Sequence, residues 1–211
     1  MTSLILQLQQ EAMDTKTGVS DVLRKALVVA TKLNLADFQS WIEQELNGYR
    51  NVDVPDYRKI PCRVVTRNPY HGWIPVMFPD APELATMLSQ VPMSRAIGEL
   101  EALSIPSDGR GVFTIDFPPD ALDGLMKMQS DCISLGLIPT RMIGRASIHG
   151  ILEAVRNVVL RWSLQLEKDG ILGEGLTFSA SEKKAAASAT YHVQNFYGSI
   201  GNVAGGDVHN E

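Results

Sequence analysis

The sequence predicts an α+β fold: an N-terminal helical bundle with a small antiparallel sheet, a long core helix and a β-prone C-terminal tail. Three observations predict it. Apolar residues recur at spacings of three and four through the N-terminal region. Proline then becomes frequent, at positions 55, 61, 69, 75, 79 and 82, and the runs between are rich in β-branched and aromatic residues. Residues 148–166 carry an apolar stripe wide enough to belong at the centre of a core or of an interface between copies. With 211 residues, 45% hydrophobic and 20% charged, the chain can bury a real core and is too apolar for wholesale disorder.

Each element has its local reason. Leu4, Leu8 and Ala12 share one face of a first helix, with Ser3 as N-cap. Leu23, Ala26, Leu27, Ala30 and Leu33 stripe a second, with Ser20 as candidate N-cap and Arg24, Lys25 and Lys32 opposite. A third carries Phe38, Trp41, Ile42, Glu45 and Leu46 and stops at Asn47-Gly48. Short connections between such helices favour an antiparallel bundle. Residues 63–67 and 73–78 are β-rich and joined by the turn-forming Asn68-Pro69-Tyr70-His71-Gly72, which predicts a hairpin. Pro75 implies an edge strand or a bulge. Helix is expected over 81–90 with Asp80 as N-cap, and from Pro92 onward with Ile97, Leu100 and Leu103 on one side. Residues 112–117 read as a strand. A helix follows from Pro118, with Leu122, Leu125, Met126 and Cys132 inward, and residues 137–145 read as a further strand. Ser147 is the expected cap of the long helix, whose stripe is Ile148, Ile151, Leu152, Val155, Val159, Trp162 and Leu166, broadened by Leu160 and Leu164. Gly170 stops it. Residues 1–178 are therefore expected to form one α+β domain, and residues 179–211 a short helix plus a Gly/Asn-rich tail.

A formal charge of −5 argues against a nucleic-acid binder that works by bulk charge, while leaving room for a local basic patch. No apolar run approaches the ~20 residues of a membrane-spanning helix, and the start lacks the pattern of a secretory signal, so no membrane partner is expected. Cys62 and Cys132, far apart and outside any CxxC spacing, read as free thiols of a reducing compartment. There is no Gly-x-Ser-x-Gly elbow. The glycine-rich stretches 170–175 and 198–205 lack the P-loop ending and the strand-to-helix GxGxxG context, so no cofactor is expected. His149 and Glu153 lie one helical turn apart without the second histidine of a helical zinc motif and read as a surface pair. His192, His209 and Asp207 read as solvated tail residues, so no metal site is expected. The sequence names no catalytic residue.

Two constellations remain. Arg58, Lys59, Arg63 and Arg67 gather about the hairpin with Tyr57, Tyr70 and Trp73, and alternation puts Arg63 and Arg67 on one strand face. Interleaved basic and aromatic residues can bind single-stranded nucleic acid by phosphate contact and stacking. The competing reading is a solvated strand face whose aromatics cover the bundle. Asp53 and Asp56 are the carboxylates that a metal-dependent nuclease would use there. The second constellation is the uncharged, β-prone stretch 196–204, a composition that can add to sheet edges of other copies. Phe196, Tyr197, Ile200 and Val203 are its candidates for self-association into a homo-oligomer or filament, set against a flexible chain end.

The order Leu4-Ile5-Leu6-Gln7-Leu8-Gln9, Val22-Leu23-Arg24-Lys25-Ala26-Leu27-Val28-Val29-Ala30 and Phe38-Gln39-Ser40-Trp41-Ile42-Glu43-Gln44-Glu45-Leu46-Asn47-Gly48-Tyr49 continues with a proline, Tyr57-Arg58, Asn68-Pro69 and Gly72-Trp73-Ile74-Pro75. In that order these segments resemble the AbiTii abortive-infection domain family, best over residues 1–80. Cys62-Arg63 departs from the pattern where a glycine-containing turn or bulge is expected. The tail resembles C-terminal appendages of some bacterial conflict proteins and NLR-like proteins, whose short glycine-bearing β motifs are suspected assembly signals. The resemblance implies a bacterial, cytoplasmic anti-phage role, by arrest or killing of the infected cell. Other copies of the chain and a phage-derived trigger are the partners expected of a self-associating module. It brings no catalytic residue set. Asn47, Tyr49, Tyr57, Arg58 and Trp73 would shape the family-like surface or hairpin, set against a structural reading with Asn47 as a helix end and the aromatics in the core. The expectation is a sensor/effector module that self-associates, the alternative a nucleic-acid-directed toxin such as a metal-dependent nuclease.

Overall fold

The computed structural model describes residues 3–105, 111–128, 137–189 and 191–197. In chain order its helices are α1 (Leu4–Met13), α2 (Val19–Leu33), α3 (Ala36–Asn47), α4 (Pro82–Leu88), α5 (Ile97–Ser104), α6 (Pro119–Met128), α7 (Arg145–Lys168) and α8 (Ala180–Ser188). Its strands are β1 (Lys59–Pro61), β2 (Arg63–Asn68), β3 (Gly72–Pro75), β4 (Gln90–Pro92), β5 (Val112–Asp116) and β6 (Pro139–Gly144), in two small antiparallel sheets. This is the α+β fold that the sequence predicts. Among the described residues no helix is long and apolar enough to cross a membrane. The chain divides into two compact units, one comprising residues 1–52, 95–102 and 150–211, the other residues 53–94 and 103–149.

The first unit is helical, and its core lies along α7. Ile151, Leu152, Val155, Val159, Trp162 and Leu166 are buried, as their spacing predicts, whereas Leu164 is 48% exposed and the stripe is narrower than expected. Phe38 of α3 stacks on Trp162 at 4.3 Å between ring centroids and 16° between planes, and both rings are fully buried. Trp41 meets Phe38 edge-on at 6.0 Å. Arg156, 7% exposed, gathers carbonyl groups around the end of α1. It donates to the carbonyls of Glu11 (3.2 Å), Ala12 (3.4 Å), Asp14 (3.0 Å) and Thr17 (2.7 Å). Positive charge is favoured at a helix C-terminus, so this one side chain joins α1 to α7.

The helix ends show which caps are local. Ser3 caps α1 through the Leu6 amide (3.3 Å) and also donates to the Leu172 carbonyl (2.6 Å). At α2 the expected Ser20 cap is corrected: Gly18 is the N-cap and has no side chain to offer. The Glu101 carboxylate instead accepts the amides of Val19 and Ser20 and the Ser20 hydroxyl. A Cβ on Gly18 would stand 3.2 Å from that carboxylate, so a glycine suits the approach. α7 starts at Arg145, placing Ser147 inside the helix. It ends at Gly170 (φ +74°), where the Ile171 amide reaches back to the Leu166 carbonyl at 2.9 Å. α8 opens with a capping box of Ser179 and Glu182. Glu182 also accepts the amides of Leu172 (2.9 Å) and Gly173 (2.8 Å).

In the second unit the main sheet runs β3-β2-β6-β5. β3 is an edge strand that ends at Pro75, in keeping with that proline's missing donor. Val64, Phe117 and Leu125 form a buried cluster with Leu84 and Leu88 of α4 and Leu122 of α6 against it. Two helical expectations are corrected. α4 closes at Leu88 with Ala81 as its N-cap, and residues 90–92 pair with β1 as a strand. The Cys62 amide on the Ser89 carbonyl (2.7 Å) draws this segment into the ladder. α5 starts at Ile97 and not at Pro92. The inward role expected of Cys132 lies outside the described residues.

Two outcomes follow. Trp162→Ala empties the centre of the helical unit and costs about 3–5 kcal/mol, measured by denaturant unfolding with Trp162→Phe as the milder control. Burial pushes the Glu182 carboxyl up, but hydrogen bonds from Gly173, Ser179 and Leu172 outweigh it and hold the pKa down at about 2. The stabilisation is therefore present above the ordinary glutamate value of 4.5 and drains away as pH falls toward 2. Glu182→Gln lowers stability near neutral pH and flattens its decline through that acid window, as followed by unfolding at a series of pH values.

Candidate functional site

Directly opposed residues in a ladder share a face, so the register of the main sheet sorts its side chains. Arg67 stands opposite Trp73, Val65 opposite both Pro75 and Thr140, and Arg63 opposite Met142. Thr114 and Asp116 of β5 continue the same face. The other face carries Val64, Ile143, Phe113 and Ile115 and holds the buried cluster. On the first face Arg63, Arg67, Trp73, Pro75, Thr114 and Asp116 are exposed, around a buried centre of Val65 and Thr140. At the hairpin tip, Asn68 Oδ1 accepts the amides of Tyr70 (2.8 Å) and His71 (3.1 Å), and Tyr70 is 91% exposed. Sequence alternation therefore placed Arg63 and Arg67 correctly, and the ladder adds Trp73 beside Arg67.

Arg58 is elsewhere. It is fully buried and donates to the Met93 carbonyl at 2.7 Å, while its own carbonyl accepts the Met93 amide at 2.9 Å. The expected surface arginine is thus an internal tie, because its backbone lies in a paired segment whose carbonyls need donors. Tyr57 is half-buried in the 3-10 turn Asp56–Arg58. Asp56 pairs with Lys59 at 2.7 Å and, with a smaller contribution from Asp53, raises its pKa. Among the described residues no group of three or more His, Cys, Asp or Glu side chains is arranged to hold a metal ion. Cys62 is a free, half-buried thiol whose Sγ donates to the Leu88 carbonyl at 3.0 Å, and burial pushes it up, away from the reactive thiolate.

The start of the tail forms a second constellation, within the helical unit. Val193–Phe196 is a 3-10 turn; of the β-prone stretch 196–204 only Phe196 and Tyr197 are among the described residues. Asp37, in the first turn of α3, accepts the Val193 amide at 2.9 Å and lies 3.7 Å from His192 Nδ1. Arg161 donates to the Phe196 carbonyl (3.3 Å), and the Phe196 ring meets Phe38 edge-on at 5.5 Å. Tyr191 donates to Asp169 at 2.6 Å. Burial, then the charges of Glu45 and Asp37, push the Tyr197 phenol up to about 12. A cavity of about 390 Å³ lies between α3 and the turn, lined among others by Ser40, Gln44, Gln194 and Tyr197. Asn47 ends α3 by bonding the Glu43 carbonyl (2.9 Å), and Tyr49 is buried with its hydroxyl on the equally buried Glu45 (2.7 Å). Ile200 and Val203 lie outside the described residues. Asp37 and Arg161 were not singled out from the sequence: each looks like an ordinary charge on a helix, and only the return of the chain gives it a partner.

A family model described as AbiTii matches residues 3–191 of the chain. No curated protein and no solved structure matches it.

Asp37→Ala removes the acceptor for the Val193 amide and the partner of His192. Cleavage within residues 191–197 under limited proteolysis should then accelerate several-fold, with the melting of the helical unit little changed; equal cleavage rates would show that Asp37 does not hold the turn.

Proposed function

The chain belongs to the AbiTii family, and on that premise we propose that it is a bacterial, cytoplasmic anti-phage protein that acts in abortive infection by self-association. The family name itself suggests the defence role. The observation that carries the mechanism is where the family match stops. It ends at residue 191, and the uncharged, β-prone stretch 196–204 begins just beyond. The body then serves to hold and present that stretch. Residues 191–197 are held against α3 through Asp37 and Phe38. In this reading Ile200 and Val203 pair between copies, with Phe196 and Tyr197 at the base of the contact. Infection supplies a phage-derived trigger that shifts protomers toward the assembled state.

The alternative, a metal-dependent nuclease, needs carboxylates beside Arg63 and Arg67. Asp56 is engaged by Lys59 instead, which favours the module.

Removal of residues 198–211 is the test. The full chain should show a larger, concentration-dependent mass by light scattering, and the truncated chain should not. Cells expressing the truncated chain should also lose protection in a phage challenge. An unchanged mass distribution on truncation overturns the mechanism.

A further inference from the structure

We propose that the exposed Arg63, Arg67 and Trp73 on one face of the β3-β2-β6-β5 sheet bind single-stranded nucleic acid, the two arginines on phosphates and Trp73 stacked on a base. The geometry is built in. Arg63 and Arg67 are separated by four residues of one strand, about 13 Å, and Trp73 is the direct cross-strand neighbour of Arg67, with Cβ atoms about 5 Å apart. A base laid on the indole therefore leaves its own phosphate beside one guanidinium, and the strand continues toward the other. Both guanidinium groups are exposed, and among the described residues neither is paired with a carboxylate. Among the described strand residues the acid on this face is Asp116, at the far strand, which accepts the Thr140 hydroxyl at 3.2 Å.

Charge selects the occupant. In a chain of net charge −5, two unpaired cations beside an exposed tryptophan are a local anion site and not a by-product of a basic protein. Tyr70, 91% exposed at the tip of the same hairpin, offers a second ring. A protein partner would need a larger apolar centre than this face offers: its middle, Val65 and Thr140, is buried. Base stacking on aromatics with phosphate contacts from arginine suits every base, so the recognition is tolerant of sequence. The proposed contacts go to base and phosphate, which RNA and single-stranded DNA share, so both bind.

The proposal stands apart from self-association, and its test is read on the full chain and on the chain lacking residues 198–211. Labelled oligouridylate and oligothymidylate of about 15 nucleotides, within the range of known single-strand sites, are titrated at low salt by fluorescence anisotropy. Trp41 and Trp162 are buried, so quenching of the intrinsic emission reports Trp73. Both chains should bind. Trp73→Ala should weaken binding about tenfold and abolish the quenching. Arg63→Ala with Arg67→Ala should lower the slope of log affinity against log salt by about 1.4, the value for two phosphates of a single strand. All three side chains are exposed, and circular dichroism confirms that the variants fold. No binding at low salt, unchanged binding by these variants, a preference for duplex, or capture of a protein through this face would each overturn it.

Discussion

The stacking of Phe38 on Trp162 is the contact on which the helical unit depends. It fixes α3 against α7 through two rings that are fully buried and nearly parallel. It also sets what α3 can present. The outer edge of the same Phe38 receives Phe196, and the residue before it, Asp37, receives the Val193 amide. One turn of one helix thus supplies both a core residue and the docking point of the chain's return. Removing the stack would loosen the point from which the tail departs, as well as cost packing energy.

Around that contact, three charged side chains do what local sequence does not: Arg156 for the carbonyls after α1, Glu101 for the amides of α2, and Glu182 for the segment between α7 and α8. Each joins a helix end to a segment distant in sequence, or to the neighbouring turn. A buried or half-buried charge costs desolvation, and it is tolerated here because every one meets several backbone groups. These ties explain why helix existence was legible in the sequence while some starts were not. Periodicity of Leu23, Ala26 and Ala30 identifies α2 whatever its neighbours do. Its first residue depends on Glu101, and no reading of residues 18–21 alone could supply that. Likewise α7 follows β6 directly, so no cap at Ser147 is needed, and residues 90–92 become a strand because Lys59–Pro61 waits beside them.

The candidate surfaces divide the same way. Period-two alternation made the shared face of Arg63 and Arg67 legible, since side chains four residues apart on a strand point the same way. The pairing of Trp73 with Arg67 needed the hairpin ladder, and the turn residues 68–72 made that pairing recoverable in outline. Arg58 was not legible. An arginine five residues before another arginine looks like part of a basic patch, and only the fold reveals the Met93 carbonyl that takes it inside. Phe196 and Tyr197 illustrate the opposite limit. Their β propensity is real, but propensity yields to a tertiary contact, and Phe38 with Asp37 turns the segment into a 3-10 turn.

That turn is held at several points. Tyr191 donates to Asp169, Asp37 accepts the Val193 amide, Arg161 donates to the Phe196 carbonyl, and Tyr191 and Val193 are themselves buried. An amide donated to a carboxylate is worth about 1.5–3 kcal/mol and an edge-on aromatic pair about 0.5–1.5 kcal/mol beyond the area it buries. No single contact therefore holds the segment: loss of Asp37 loosens its first residues, while Phe38 and Arg161 still hold Phe196.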